Sequence, residues 1–223
     1  MSIDRHRVFI SYYHHDDQDY KDVLINMKEF DWSTMRTQSI FEDCSVHQDE
    51  IDDTDMTDEQ IRREIRDNYI KDATVLILLC GQNTKRRKFI DWEIHAAMYD
   101  SDVNPKMGIL IINLPSISSQ QSMISNSERE KTIMGPYSTW TPLVQTESSL
   151  KQRYPYLPDR IITNLQRSDV AISVVNWDVI SQDTDKLKEL IDNAFNRRKS
   201  NNYDHSEPLR ERNSQWITSI YHL

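Results

Sequence analysis

Four short, mainly apolar runs set the terms for this fold: residues 8–13, 73–80, 108–114 and 170–175, with β-branched side chains in each. Runs of this length without polar alternation read as strands buried on both faces, the kind a parallel sheet requires. Between them the apolar spacing becomes helical. Tyr20, Val23, Leu24 and Met27 follow the first run, and Ile61, Ile65 and Tyr69 precede the second. Residues 87–99 predict a further helix, and 185–196 the last. Another follows Pro158, since a first helical turn tolerates a missing N–H. Thr57-Asp58-Glu59-Gln60 has the pattern of a capping box. A short strand near 39–41 completes the alternation. The expected class is α/β and flavodoxin-like, a parallel sheet with helices on both faces.

At 223 residues the chain fits a single domain with an elaboration. Its character changes at Pro115. No proline occurs in residues 1–104, whereas five of the seven lie between Pro115 and Pro158, alongside a Ser/Gln-rich run at 116–127. Residues 115–158 therefore read as a long insertion, whether a disordered excursion, a lid or an interaction surface. The polar tail, 199–223, carries Trp216, Ile217, Ile220 and Tyr221, which would dock a terminal helix.

Several function classes fall away. The three glycines, Gly81, Gly108 and Gly135, are too scattered for a Walker A loop or a dinucleotide fingerprint. A net charge of −9 argues against duplex nucleic acid as main partner, because that affinity comes from Lys and Arg on phosphates. No apolar run is long enough to span a membrane and the first residues are polar, so the expected location is the cytoplasm. Cys44 and Cys80 show no disulfide or metal spacing.

Residues 87–99 carry the most chemistry. On a helical wheel Phe89, Ile90, Trp92, Ile94, Ala96, Ala97, Met98 and Tyr99 form one broad apolar arc, while Asp91 and His95 share the polar gap. Glu93 falls inside the apolar arc. A carboxylate there is either desolvated, with a raised pKa, or held ionised by specific donors. The bland alternative is a buried ion pair or backbone cap. Because this helix follows the second long strand, its first turns should lie near the carboxyl ends of the strands, where open α/β sheets bind ligands. Glu93 is the catalytic candidate.

The first strand exits through Phe9, Ser11, Tyr12 and Tyr13, offering aromatic surface and hydroxyls at the same edge. His14 and His15 have no third metal ligand, and Asp16 or Asp17 reads as a helix cap; no metal site is expected. Lys85, Arg86, Arg87 and Lys88 stand at a helix start, against the macrodipole, which an anion such as pyrophosphate would relieve. A solvated basic loop is the equal alternative. Residues 42–59 hold nine carboxylates and no Lys or Arg, but lack the glycine of an EF-hand loop.

These segments, residues 7–12, 61–69, 73–81 and 89–94, resemble in order and spacing the TIR-like proteins of bacterial antiphage defence, notably of Thoeris systems. The resemblance spans roughly residues 5–115. It implies a flavodoxin-like fold and cleavage of NAD+, as substrate and not as cofactor, between nicotinamide and ribose. Glu93 matches the family's essential glutamate. Phe9, Ser11 and Tyr12 would border the nucleotide pocket, with Tyr13, Lys85 and Arg86 beside them. The loop 42–55 would shape the site or join subunits. An ADP-ribose-derived product would pass to a separate effector, after a phage-derived trigger and with self-assembly. The Arg-Asp-x-x-Pro-Gly pattern of receptor-type TIR domains is absent, so adaptor behaviour does not carry over. Two other readings use the same residues: a non-catalytic sensing or assembly module, and a nucleoside deoxyribosyltransferase-like enzyme with Glu93 as nucleophile.

Overall fold

The computed structural model describes residues 5–45, 56–102, 104–118, 122–135, 138–142 and 146–211. In chain order the elements are β1 (Arg7–Ser11), α1 (His14–Ile25), β2 (Lys28–Asp31), β3 (Arg36–Ser39), β4 (Glu42–Asp43) and α2 (Asp58–Glu64). A π-helical turn, Ile65–Tyr69, leads to β5 (Val75–Cys80), and a 3₁₀ turn, Thr84–Arg86, leads to α3 (Lys88–Met98). Then come β6 (Gly108–Asn113), α4 (Pro115–Ser118), α5 (Glu128–Met134), α6 (Glu147–Arg153) and α7 (Asp159–Leu165). β7 (Ser173–Asn176), α8 (Trp177–Ile180) and α9 (Thr184–Arg197) complete the described elements.

Five strands form a parallel sheet in the order β4-β1-β5-β6-β7. Counting only sheet strands along the chain, this is 2-1-3-4-5, the doubly wound flavodoxin-like order. All six residues of β5 and all six of β6 are buried, which explains why those runs lack polar alternation. Alternate side chains divide the core. Phe9, Leu76, Leu78, Ile109 and Val174 face α3 and α7, while Val8, Ile10, Ile77, Ile112 and Val175 face α1 and α9. Gly108 matters here because α9 lies against its backbone: a Cβ at this position would stand 2.1 Å from the Ala194 carbonyl oxygen.

The sequence expectations need adjustment in four places. The strand beside β1 is not 39–41 but Glu42–Asp43, with Arg7 opposite Glu42 and Val8 opposite Asp43. Ile40 and Phe41 are buried as the link into it. Before it stands an antiparallel hairpin, β2–β3, which the sequence reading did not contain. The helix expected through Tyr69 starts at the Thr57 capping box, where the hydroxyl accepts from the Gln60 N–H and Gln60 Oε1 accepts from the Thr57 N–H. Its last turn widens into the π-helix. Finally, the described part of 115–158 is packed onto the body: Met123, Ile124, Met134, Leu150, Tyr154 and Leu157 are all buried. Ile124 and Val174 exchange backbone hydrogen bonds of 2.8 Å, covering the free edge of β7.

The described part of the tail, through residue 211, crosses α3 and α7. Tyr203 donates to the Met107 carbonyl, Asn164 Oδ1 accepts from the Asp204 N–H, and the Trp92 indole donates to the Arg210 carbonyl. The expected docking of Trp216 to Tyr221 lies outside the described residues.

Candidate active site

The site is built where strand order reverses, between β1 and β5, at the carboxyl ends of both. α3 runs from Lys88, so Glu93 sits in its second turn, on the face that the apolar arc turns toward the sheet. Glu93 is 3% exposed. Ser11, the last residue of β1, shares the parity of Phe9 and so points to the same side. Its Oγ donates to Glu93 Oε2 at 2.5 Å. Burial pushes the Glu93 carboxyl up to about 8, against the opposing effect of the Ser11 hydroxyl. Desolvation outweighs the donor, so near neutrality this carboxyl holds its proton.

The remaining candidates divide by position. Phe9 is 1% exposed and lies in the core on the α3 side, two residues before Ser11. Tyr13 packs against the same cluster, and the Arg87 guanidinium lies 3.7 Å from its ring centroid. Tyr12 points to the opposite face of the sheet, where its hydroxyl donates to Gln18 and its ring stacks on His14 at 4.2 Å. The alternation of β1 therefore brings Phe9, Ser11 and Tyr13 to the Glu93 side and sends Tyr12 away from it.

The basic tetrad after β5 is internally engaged. Lys85 pairs with Asp159 at 3.0 Å, Arg86 has partners within the chain, and Lys88 lies 5.1 Å from the centroids of the Phe89 and Trp92 rings. Thr84 anchors the loop by accepting from the Gly81 N–H and donating to the Leu79 carbonyl. Asn83 reaches across to Asp16 at 2.6 Å. The β5 loop is thus tied to the start of α1.

A second buried carboxylate was not singled out by the sequence. Asp17, 5% exposed, lies against the end of β5, where a Cβ on Gly81 would stand 3.1 Å from its Oδ1. Burial and the neighbouring Asp16 push it up to about 6, opposed by the Tyr13 N–H. The spacing Asp17, Lys21, Leu24 marks this buried face of α1. It was legible, but the first-turn position suggested a cap instead.

The polar gap of α3 is covered. Arg160, with a fully buried side chain, donates to both Asp91 oxygens at 3.3 Å and to the carbonyls of Glu207 and Pro208. His95 faces His205, and burial depresses it to about 3, so it stays neutral. Among the described residues no cluster of three or more His, Cys, Asp or Glu is placed to hold a metal, and no helix is long and apolar enough to cross a membrane. Of the loop 42–55, residues 46–55 lie outside the described residues.

Compared with known proteins, residues 9–119 match the family described as Thoeris protein ThsB, TIR-like domain. No curated protein matches the chain.

Proposed function

Since residues 9–119 belong to the ThsB TIR-like family of Thoeris antiphage defence, we propose that this chain cleaves the N-glycosidic bond between nicotinamide and ribose in NAD+, with Glu93 as the catalytic carboxylate. One observation carries the reading: a glutamate 3% exposed, hydrogen-bonded by Ser11, at the carboxyl edge of β1 and β5 where the strand order reverses. Doubly wound sheets bind nucleotides at that point.

The chemistry suits a lone carboxylate. Nicotinamide in NAD+ is a cation and leaves neutral, taking the electron pair of the C1′–N bond, so no general acid is needed. The positive charge passes to the ribose as an oxocarbenium-like state, which a nearby carboxylate stabilises. A water or hydroxyl oxygen then attacks C1′ and gives up one proton, yielding ADP-ribose, a cyclic isomer or a conjugate. The approach of a cationic ring lowers the Glu93 pKa, so the substrate itself draws out the proton that burial retains. At 3% exposure the carboxyl is covered in the resting chain. Turnover therefore requires a rearrangement that opens the site, the step at which a phage-derived trigger would act, and the product would pass to a separate effector.

The test is nicotinamide release from NAD+ by purified chain, with and without extract from phage-infected cells. Wild type should release nicotinamide in at least one condition and Glu93→Ala in neither. Equal background rates in all four arms would overturn the proposal and leave the same fold as a non-catalytic module.

A further inference from the structure

At the edge of the sheet opposite Glu93, beside the amino ends of β5 and β6, the structure holds a cavity of about 550 Å³. Its walls are the end of α2 with the π-helix on one side and, on the other, Tyr99, Ser101 and Asn104, which lie between α3 and β6. We infer that this cavity binds a phosphate-bearing small molecule, independently of any reaction at Glu93.

Charge is the first argument. In a chain of net charge −9, the cavity gathers Arg62, Arg63, Arg66 and Lys71 against a single carboxylate, Asp67. That carboxylate is committed, accepting from the Asn104 amide at 3.0 Å. Glu59 holds Arg63 at 2.6 Å and lies 3.9 Å from Arg62, one carboxylate shared by two cations, while among the described residues Arg66 and Lys71 have no ion pair within 4.0 Å. An excess of cations in a concave site concentrates anions.

Geometry is the second argument. Arg66 is 6% exposed; its Nη2 donates to the carbonyls of Asn104 and Pro105, and its Nη1 is buried with no acceptor among the described residues. An unmet buried donor on a charged group is costly, and a phosphate oxygen is the acceptor a guanidinium fits best. The Arg62 guanidinium lies 3.6 Å from the Tyr99 ring centroid, which fixes its plane before any ligand arrives. The π-turn itself is the third argument. Such turns are rare and concentrate at functional sites, and this one supplies both Arg66 and Asp67. The volume falls within the range of small-molecule clefts, and the overall negative charge disfavours a nucleic-acid backbone as occupant.

Titration calorimetry on the full chain with inorganic pyrophosphate and with ADP tests this. Arg63→Glu combined with Lys71→Glu is the discriminating variant, since both side chains are exposed and lie far from Glu93; an unchanged urea midpoint checks its fold. Saturable binding of at least one probe, weakened about tenfold or more in the variant, is the expected result. Tighter binding of ADP than of pyrophosphate would assign a nucleotide ligand, and equal binding an inorganic one. No saturation by either probe at millimolar concentration would overturn the proposal. So would binding that the variant weakens by less than that margin, because the ligand would then sit elsewhere.

Discussion

Replacing Glu93 by Gln keeps the side-chain volume and an acceptor for Ser11 Oγ while removing the proton that titrates. In the unfolded chain a glutamate loses its proton near 4.5; in the folded chain burial holds it to about 8. Between those values the folded state binds the additional proton, so stability falls as pH rises through the window. Above it the folded chain carries a desolvated carboxylate. The full penalty reaches ~5 kcal/mol on the alkaline side, and the Gln variant escapes it. Urea midpoints of both chains at about pH 5, 7 and 9 measure the effect. Every other group, including the raised Asp17, is present in both chains and cancels in the difference. The expected outcome is near-equal stability at pH 5 and a variant several kcal/mol more stable at pH 9. A variant less stable by the same margin at every pH would refute the reasoning, because Glu93 would then be an ionised structural group held by its donors.

Three further outcomes follow from the same structure. If ionised Glu93 is the working form, kcat/KM for NAD+ should rise with pH through an apparent pKa near about 8, and Ser11→Ala, which removes a donor to the charged form, should move that midpoint upward; a flat profile contradicts both. Asp91→Ala strands the buried Arg160 guanidinium without its counter-charge and should cost about 3–5 kcal/mol by urea unfolding, whereas Arg160→Met should cost less. Gly108→Ala drives a Cβ against the Ala194 carbonyl oxygen, so α9 must shift, at a loss on the order of 1–3 kcal/mol read as a lowered Tm; an unchanged Tm would contradict the packing of α9 on β6.

Much of this was legible because burial on both faces writes itself plainly. β5 and β6 are nearly continuous apolar runs, and α3 shows one apolar arc with a single intruding carboxylate, so both the sheet and the burial of Glu93 follow from spacing. The hairpin was not legible. Lys-Glu-Phe-Asp and Arg-Thr-Gln-Ser are partly exposed on both faces, and polar strands without alternation carry no period. β4 is two acidic residues whose strand character comes wholly from pairing with β1. The wheel placed Asp91 and His95 in a polar gap and could not show what covers it, because their covers, Arg160 and the segment from Asp204 to Arg210, are distant in sequence. Wheels read one helix at a time and cannot see a strap laid over it. Tyr12 is a different case: period-2 alternation from Ser11 already sends it to the opposite face of the sheet, and only the family resemblance groups the two.

Mass spectrometry of NAD+ incubated with purified chain and infected-cell extract tests the central claim most directly, with Glu93→Gln and a mixture of free nucleosides run in parallel. The account predicts nicotinamide and an ADP-ribose-derived species formed in equal amounts by wild type alone, with the nucleosides untouched. NAD+ left intact by wild type, or nucleosides exchanging their bases while NAD+ survives, would contradict it.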